Sequence, residues 1–287
     1  MSTAIKLIEC PRDAMQGMAT YISVQKKADY INQLLKVGFD TIDFGSFVSP
    51  KAVPQMRDTA EVLSRLEIPK NKSKLLAIVG NERGAKQATA FQEINCLGYP
   101  LSVSETFQQR NTNSSIPDAI KRLVNIQDIC VRQNKALVVY ISMGFGNPYG
   151  DPYSIEKVST FINMLKAMGV TTISIADTIG LASPEEIFQV FSQLLKDHRD
   201  IQIGAHLHSS PHALKNKLKA VLAAGCRRID SAMLGYGGCP FAKDELVGNI
   251  PTETIVQVLQ EQGFDTGLDL IAFEKSIKKA SKIFIFS

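Results

Sequence analysis

The sequence has no run of about 18 consecutive apolar residues, so no part of it reads as a membrane span. It also lacks a G-x-G-x-x-G or G-x-x-x-x-G-K-[ST] motif, which removes the usual backbone cradle for a dinucleotide or nucleoside triphosphate. The five cysteines, Cys10, Cys96, Cys130, Cys226 and Cys239, are odd in number and form no C-x-x-C pair. That argues against a disulfide framework and a four-sulfur zinc site, and for a reducing compartment. Neither sign of charge dominates: 32 Lys and Arg against 28 Asp and Glu leave +4, with no basic run or stripe. Neither nucleic acid nor membrane is therefore an expected partner. No charged amphipathic leader precedes the first strand-like run, and the expected location is cytoplasmic. With no Pro/Gly/Ser-rich linker to divide the 287 residues, we expect one domain over 1–287.

What is present is a repeating alternation. Short β-branched, apolar runs fall at 5–8, 41–44, 75–79, 101–103, 137–141, 172–175, 201–203 and 228–229. They lie about 30 residues apart, the length of one strand and one crossover helix. Helical patterns lie between them. Ile155, Val158, Ile162 and Leu165 recur at three and four residues before Gly169, as do Leu214, Leu218, Val221 and Leu222 before Gly225. Ser183-Pro184-Glu185-Glu186 reads as a capping box with proline at the first helical position. Eight such units predict an α/β protein, a (β/α)8 TIM barrel with a short C-terminal helical extension. An open eight-stranded sheet shares this periodicity.

A barrel would place function at the C-terminal ends of its strands. Polar residues collect there: Arg12 and Asp13 after strand one, Asp43 after two, Asn81 after three, Glu105 after four, Asp177 after six, and His206 and His208 after seven. Strand ends lead into loops that are polar in any protein, so the sharper signal is His206-Leu207-His208. Residues i and i+2 of a strand face the same side, and two imidazoles can then point at one atom. Asp13 is the natural carboxylate to complete an octahedral divalent site, and beside it Arg12 supplies fixed positive charge. His198 and His212, at a helix end and a helix start, are expected to be solvated. Finally, Gly235, Gly237 and Gly238 lead to Cys239 on a loop. A thiol so placed suggests catalysis or gating, with nucleophile and acid both open.

Pro11-Arg12-Asp13, Ser46-Phe47-Val48-Ser49-Pro50-Lys51, Asp177-Thr178-Ile179-Gly180, His206-Leu207-His208 and Gly237-Gly238-Cys239-Pro240 together resemble the 3-hydroxy-3-methylglutaryl-CoA lyase family. SFVSPKAVPQM (46–56) and GYGGCPFAK (235–243) are similar to the lyase branch in particular, as are FxxRNxNxSI (107–116) and GNPYG (146–150). The resemblance implies a barrel that cleaves HMG-CoA to acetyl-CoA and acetoacetate with Mg2+ or Mn2+, takes a small acyl-CoA substrate, and suggests a homodimer. It implies Asp13, His206, His208 and Asn249 as metal ligands, Arg12 as the enolate stabiliser, and Cys239 as a proton-transfer group. Asp43 and Asp177 fall at the family's acidic positions, and Gln16 and Asn81 are expected at the cofactor.

The chain also departs from the family's pattern. Arg-Asp-Gly-Leu-Gln-Asn-Glu becomes Arg12-Asp13-Ala14-Met15-Gln16-Gly17-Met18, and Asp43 replaces a glutamate one methylene longer. Its hydrogen-bond partner is expected to move, or a water to intervene. The segment between Cys239 and Asn249 is one residue longer than in the family. Two other readings share these residues: a Claisen-type acyl-CoA synthase, and a non-catalytic barrel binding acyl-CoA or metal. The bare barrel, without a further C-terminal domain, favours the lyase.

Overall fold

The structure is a computed structural model that describes residues 4–68, 73–238 and 247–284. Eight parallel strands form the frame: β1 (Lys6–Glu9), β2 (Thr41–Ser46), β3 (Lys74–Ile78), β4 (Ile94–Ser102), β5 (Ala136–Ser142), β6 (Thr172–Asp177), β7 (Gln202–Ser209) and β8 (Arg228–Ser231). Each pairs with the next, and β8 returns to β1, so the sheet closes into a TIM barrel and the open-sheet alternative falls away. A two-residue strand, β9 (Gly248–Asn249), adds antiparallel to β7, placing Asn249 opposite His208.

The helices begin where the sequence provides caps. Ser183 and Glu186 form the reciprocal capping box of α8 (Pro184–Asp197), while α7 (Ile155–Ala167) and α9 (Leu214–Ala223) give way to Gly169 and Gly225, both at positive φ. These three take their numbers from a series that runs α1 (Pro11–Gln16), α2 (Val24–Leu34), α3 (Thr59–Leu63), α4 (Glu82–Thr89), α5 (Glu105–Thr112) and α6 (Ile116–Arg132) before them and α10 (Thr252–Glu261) and α11 (Leu270–Phe284) after. Of these, α10 completes the eighth strand-helix unit and α11 is the expected C-terminal extension. Phe284 of α11 stacks on Tyr236 at 4.7 Å and meets the edge of Tyr30 at 6.0 Å.

Two expectations are corrected, and the residues expected after β1 are placed on a helix. Pro11-Arg12-Asp13 is the first turn of α1, proline standing where its missing N–H costs nothing. β4 begins at Ile94 and not near Leu101. Gly98 and Pro100 hid it, but Gly98 faces the side chains of Leu76, Ile78 and Tyr140, and Pro100 lies past the last β3 pairing at Gly98. His198 is not solvated: it is 3% exposed, and its Nε2 shares a 2.7 Å hydrogen bond with Ser159.

Period-2 alternation sorts the strands into two cores. Leu7, Ile42, Leu75, Leu97, Val139, Ile173, Ala205 and Ile229 face the helices. Their neighbours fill the barrel, which is apolar at Leu76, Cys96, Val138 and Tyr140 and polar at Ser174, His206, Arg228 and Asp230. Glu9 has the outward parity. It is fully buried, accepting from the Met233 amide at 2.8 Å and the Thr252 hydroxyl at 2.5 Å. Burial pushes its carboxyl up to about 8, against those hydrogen bonds. Between its unfolded value of 4.5 and about 8 the folded chain holds a proton that the unfolded chain has released, so stability falls as pH rises across that window. The slope is at most about 1.4 kcal/mol per pH unit. Urea unfolding of Glu9→Gln at pH 5 and pH 8 is expected to show a smaller loss than wild type; an equal loss would remove Glu9 as the cause.

Candidate active site

The barrel's C-terminal end opens into a cavity of about 460 Å³ lined by Arg12, Asp13, Gln16, Asn81, Arg110, Tyr140, His206 and His208 among others. Here α1 and β7 bring together the residues singled out by sequence. One ligand atom each from Asp13, His206 and His208 lie within 4.8 Å of one another. His206 Nδ1 is 3.2 Å from Asp230, and His208 Nδ1 donates to the Thr178 carbonyl at 2.9 Å. The second nitrogen of each ring is thereby left for the cluster, and among the described residues His208 Nε2 is buried with no hydrogen-bond partner.

That orphaned lone pair, a second imidazole and a carboxylate fit a divalent cation. Asn249 stands beside them, its amide 2.6 Å from the second Asp13 oxygen, because β9 sets it opposite His208. Each histidine of the cluster also has an oxygen partner on its other nitrogen, the kind of contact that orients an imidazole toward a metal.

Arg12 holds the charge balance. Its Nε lies 3.1 and 3.2 Å from the two Asp43 oxygens and its Nη2 closes the pair, while Nη1 reaches Asp13 at 3.1 Å and Gln16 at 2.9 Å. The shorter Asp43 therefore meets its partner directly, with no water between them. Gln16 in turn donates to Asp13 at 2.6 Å. Burial disfavours the charge on Arg12, but Asp43 and Asp13 outweigh it and raise the guanidinium above its ordinary value. Burial likewise works against ionised Asp13, and Arg12, His206 and His208 overcome it, leaving the carboxyl below its usual range. For Asp43, burial prevails over Arg12 and the carboxyl is pushed up. Burial and His206 together lower His208, which favours the neutral ring a metal requires. His206 is raised: Asp230 and Asp13 outweigh its burial.

Other expected residues stand away from the carboxylate and the two imidazoles. Asn81 caps α4 through the Gly84 amide at 2.9 Å, with its side chain on the cavity rim. Glu105 accepts from the Ile116 amide, outside the cavity lining. Asp177 has the parity of Ile173 and Ile175 and faces the helix layer, where Lys217 of α9 meets it at 2.8 Å, while Ala176 and Thr178 line the cavity. Cys239 lies outside the described residues. The described chain reaches Gly238 close by: a Cβ on Gly237 would sit 2.8 Å from the Asp13 carbonyl and 2.6 Å from the Asn249 amide, and φ is +97°. Asp230 was missed. The signal was available in Arg228-Ile229-Asp230, charges at alternate positions of a buried strand, with Arg228 Nη1 donating to Asp230 at 2.7 Å and Ser174 at 2.6 Å.

A parallel barrel with a carboxylate and two imidazoles beside a buried arginine defines the class, a metal-site barrel with chemistry at its C-terminal mouth. Residues 5–278 match the HMGL-like family, and the chain belongs to it. It is 33% identical over 271 residues to the cytoplasmic 3-hydroxy-3-methylglutaryl-CoA lyase of Rattus norvegicus, covering 93% of this chain and 77% of that one. It is 32% identical over 260 residues to the hydroxymethylglutaryl-CoA lyase YngG of Bacillus subtilis, covering 91% and 86%. An HMG-CoA lyase from Acinetobacter baumannii, solved with coenzyme A and 3-methylmalate, superposes with a TM-score of 0.90 at 30% identity, over 98% of this chain and 91% of that one.

The Asp230 carboxylate sets the orientation and basicity of His206. Asp230→Asn is expected to weaken Mn2+ binding by about 10- to 100-fold in a calorimetric titration without substrate. Unchanged affinity would mean that His206 is not a ligand.

Proposed function

We propose that this chain is a divalent-metal-dependent carbon-carbon lyase that cleaves 3-hydroxy-3-methylglutaryl-CoA to acetyl-CoA and acetoacetate. The observation that carries it is the meeting of Asp13, His206 and His208 beside Arg12 in one cavity, in a chain of this family. Mg2+ or Mn2+ held by those three residues with Asn249 would supply a Lewis acid that lowers the pKa of a neighbouring alcohol.

The chain's own groups do the rest. Breaking the bond between C2 and C3 of the substrate removes a proton from the 3-hydroxyl and leaves negative charge on the thioester oxygen. The cavity offers ionised Asp13 as the acceptor for that proton, while Asp230 fixes the ring of His206 through Nδ1. Arg12 is cationic at any working pH, and Asp43 fixes its plane, so its donors are preorganised toward the enolate oxygen. Asp43 and Gln16 serve in this reading as positioning residues. Cys239, which follows Gly237 and Gly238 in the chain, is the acid we assign to protonate the enolate carbon. Arg110, held over the Tyr149 ring at 4.5 Å, and Arg122 share the cavity and suit the phosphates of a CoA ester.

We also infer a cytoplasmic setting, supported by four described cysteines that are all buried free thiols. No helix among the described residues is long and apolar enough to cross a membrane.

The test follows acetoacetate release from HMG-CoA. Wild type is expected to turn over, and to stop when a chelator strips the divalent ion. His206→Ala should lose both activity and metal, and Cys239→Ala activity alone. Arg12→Lys, which keeps the charge and loses the fork, should lower kcat by about 10²- to 10³-fold. Equal turnover after chelation, or activity only on a different 3-hydroxyacyl thioester, would overturn the assignment.

A further inference from the structure

Lys217 is 2% exposed on α9, on a helix face otherwise made of Leu214, Leu218 and Val221. An ammonium there is costly unless each donor is met, and each is: Asp177 Oδ2 at 2.8 Å, the Gly180 carbonyl at 2.7 Å and the His208 carbonyl at 3.1 Å. A well-packed apolar pair in place of Lys217 and Asp177 would serve stability as well or better. What such a pair could not do is tie two carbonyls together.

Those carbonyls belong to the two sides of one hydrogen bond. The β6–β7 ladder ends at Asp177 opposite Leu207, so Thr178 and His208 lie one residue beyond it. Thr178 sits in the turn 177–180, closed by the Gly180 amide on the Asp177 carbonyl at 3.1 Å, and its own carbonyl accepts from His208 Nδ1. The ammonium grips the first and last residues of that turn and the backbone of His208 itself. We propose that Lys217 is a positioning residue for His208, fixing the turn that sets the imidazole's tautomer and aims Nε2 at the cluster. The proposal rests on the metal-site reading above.

The test compares wild type with Lys217→Met and with the double variant Asp177→Asn/Lys217→Met. In the double variant no buried carboxylate is left unpaired, so it is expected to fold with a thermal midpoint close to wild type. Two readouts are taken without substrate: calorimetric titration with Mn2+, and the ring-nitrogen NMR signals of His208 in the metal-free protein. Both variants are expected to bind Mn2+ about 10- to 100-fold more weakly and to shift the His208 Nδ1 signal. A double variant with wild-type Mn2+ affinity and unmoved ring signals would reduce Lys217 to a counter-charge for Asp177 and overturn the proposal. Should wild type itself take up no Mn2+, the metal-site reading falls and the ring signals alone decide: moved in the double variant they sustain the positioning role, unmoved they end it.

Discussion

Two imidazoles two residues apart on a strand, each with Nδ1 already engaged, leave two Nε2 atoms facing one buried carboxylate. Everything at the barrel mouth answers that arrangement. Three carboxylates, Asp13, Asp43 and Asp230, stand among two guanidiniums, Arg12 and Arg228, in a region nearly closed to water. The surplus negative charge calls for a cation. The same field acts on His206, which holds a proton more tightly than an ordinary imidazole despite its burial. A metal ion held there would compete with that proton for the ring's lone pair.

The barrel makes this affordable by dividing its interior. On the β3 to β5 side Leu76, Cys96, Val138 and Tyr140 pack as a small apolar cluster, while Ser174, Arg228 and Asp230 form a hydrogen-bonded polar side beneath His206. Gly204 makes room there: a Cβ would stand 3.0 Å from the aliphatic carbons of Arg228. The edge of Tyr140 closes on His206 with ring centres 5.6 Å apart, joining the two halves. The site is therefore held from below by a satisfied network, which keeps its geometry tighter than a loop could.

The fold was legible because its period is carried by residues that face the helices, such as Ile42, Val139 and Ile173, and every strand has them. β4 was read short because Gly98 and Pro100, poor strand formers in isolation, are suited to a crowded interior and to a register that has run past its neighbour. The histidine pair is legible from its spacing, and Asp13 from its place after the first strand beside Arg12. Asp177 was misplaced for want of the same rule: counting by two from Ile173 turns it to the helices and to Lys217, a contact 40 residues away that no local pattern carries. Asp230 was passed over because the strand pattern was cut off at Ile229. The direct Asp43 contact with Arg12 depends on how separate elements meet and is not carried by the chain, and Asn249 is expected at the cluster only through the family resemblance.

The proposed chemistry needs one divalent ion between Asp13 and the two facing Nε2 atoms of His206 and His208. Crystals grown with Mn2+ and measured at a wavelength where manganese scatters anomalously test it most directly. A strong anomalous peak touching all three side chains is expected; a peak bound elsewhere, or none while those side chains are well ordered, would show that they hold no ion.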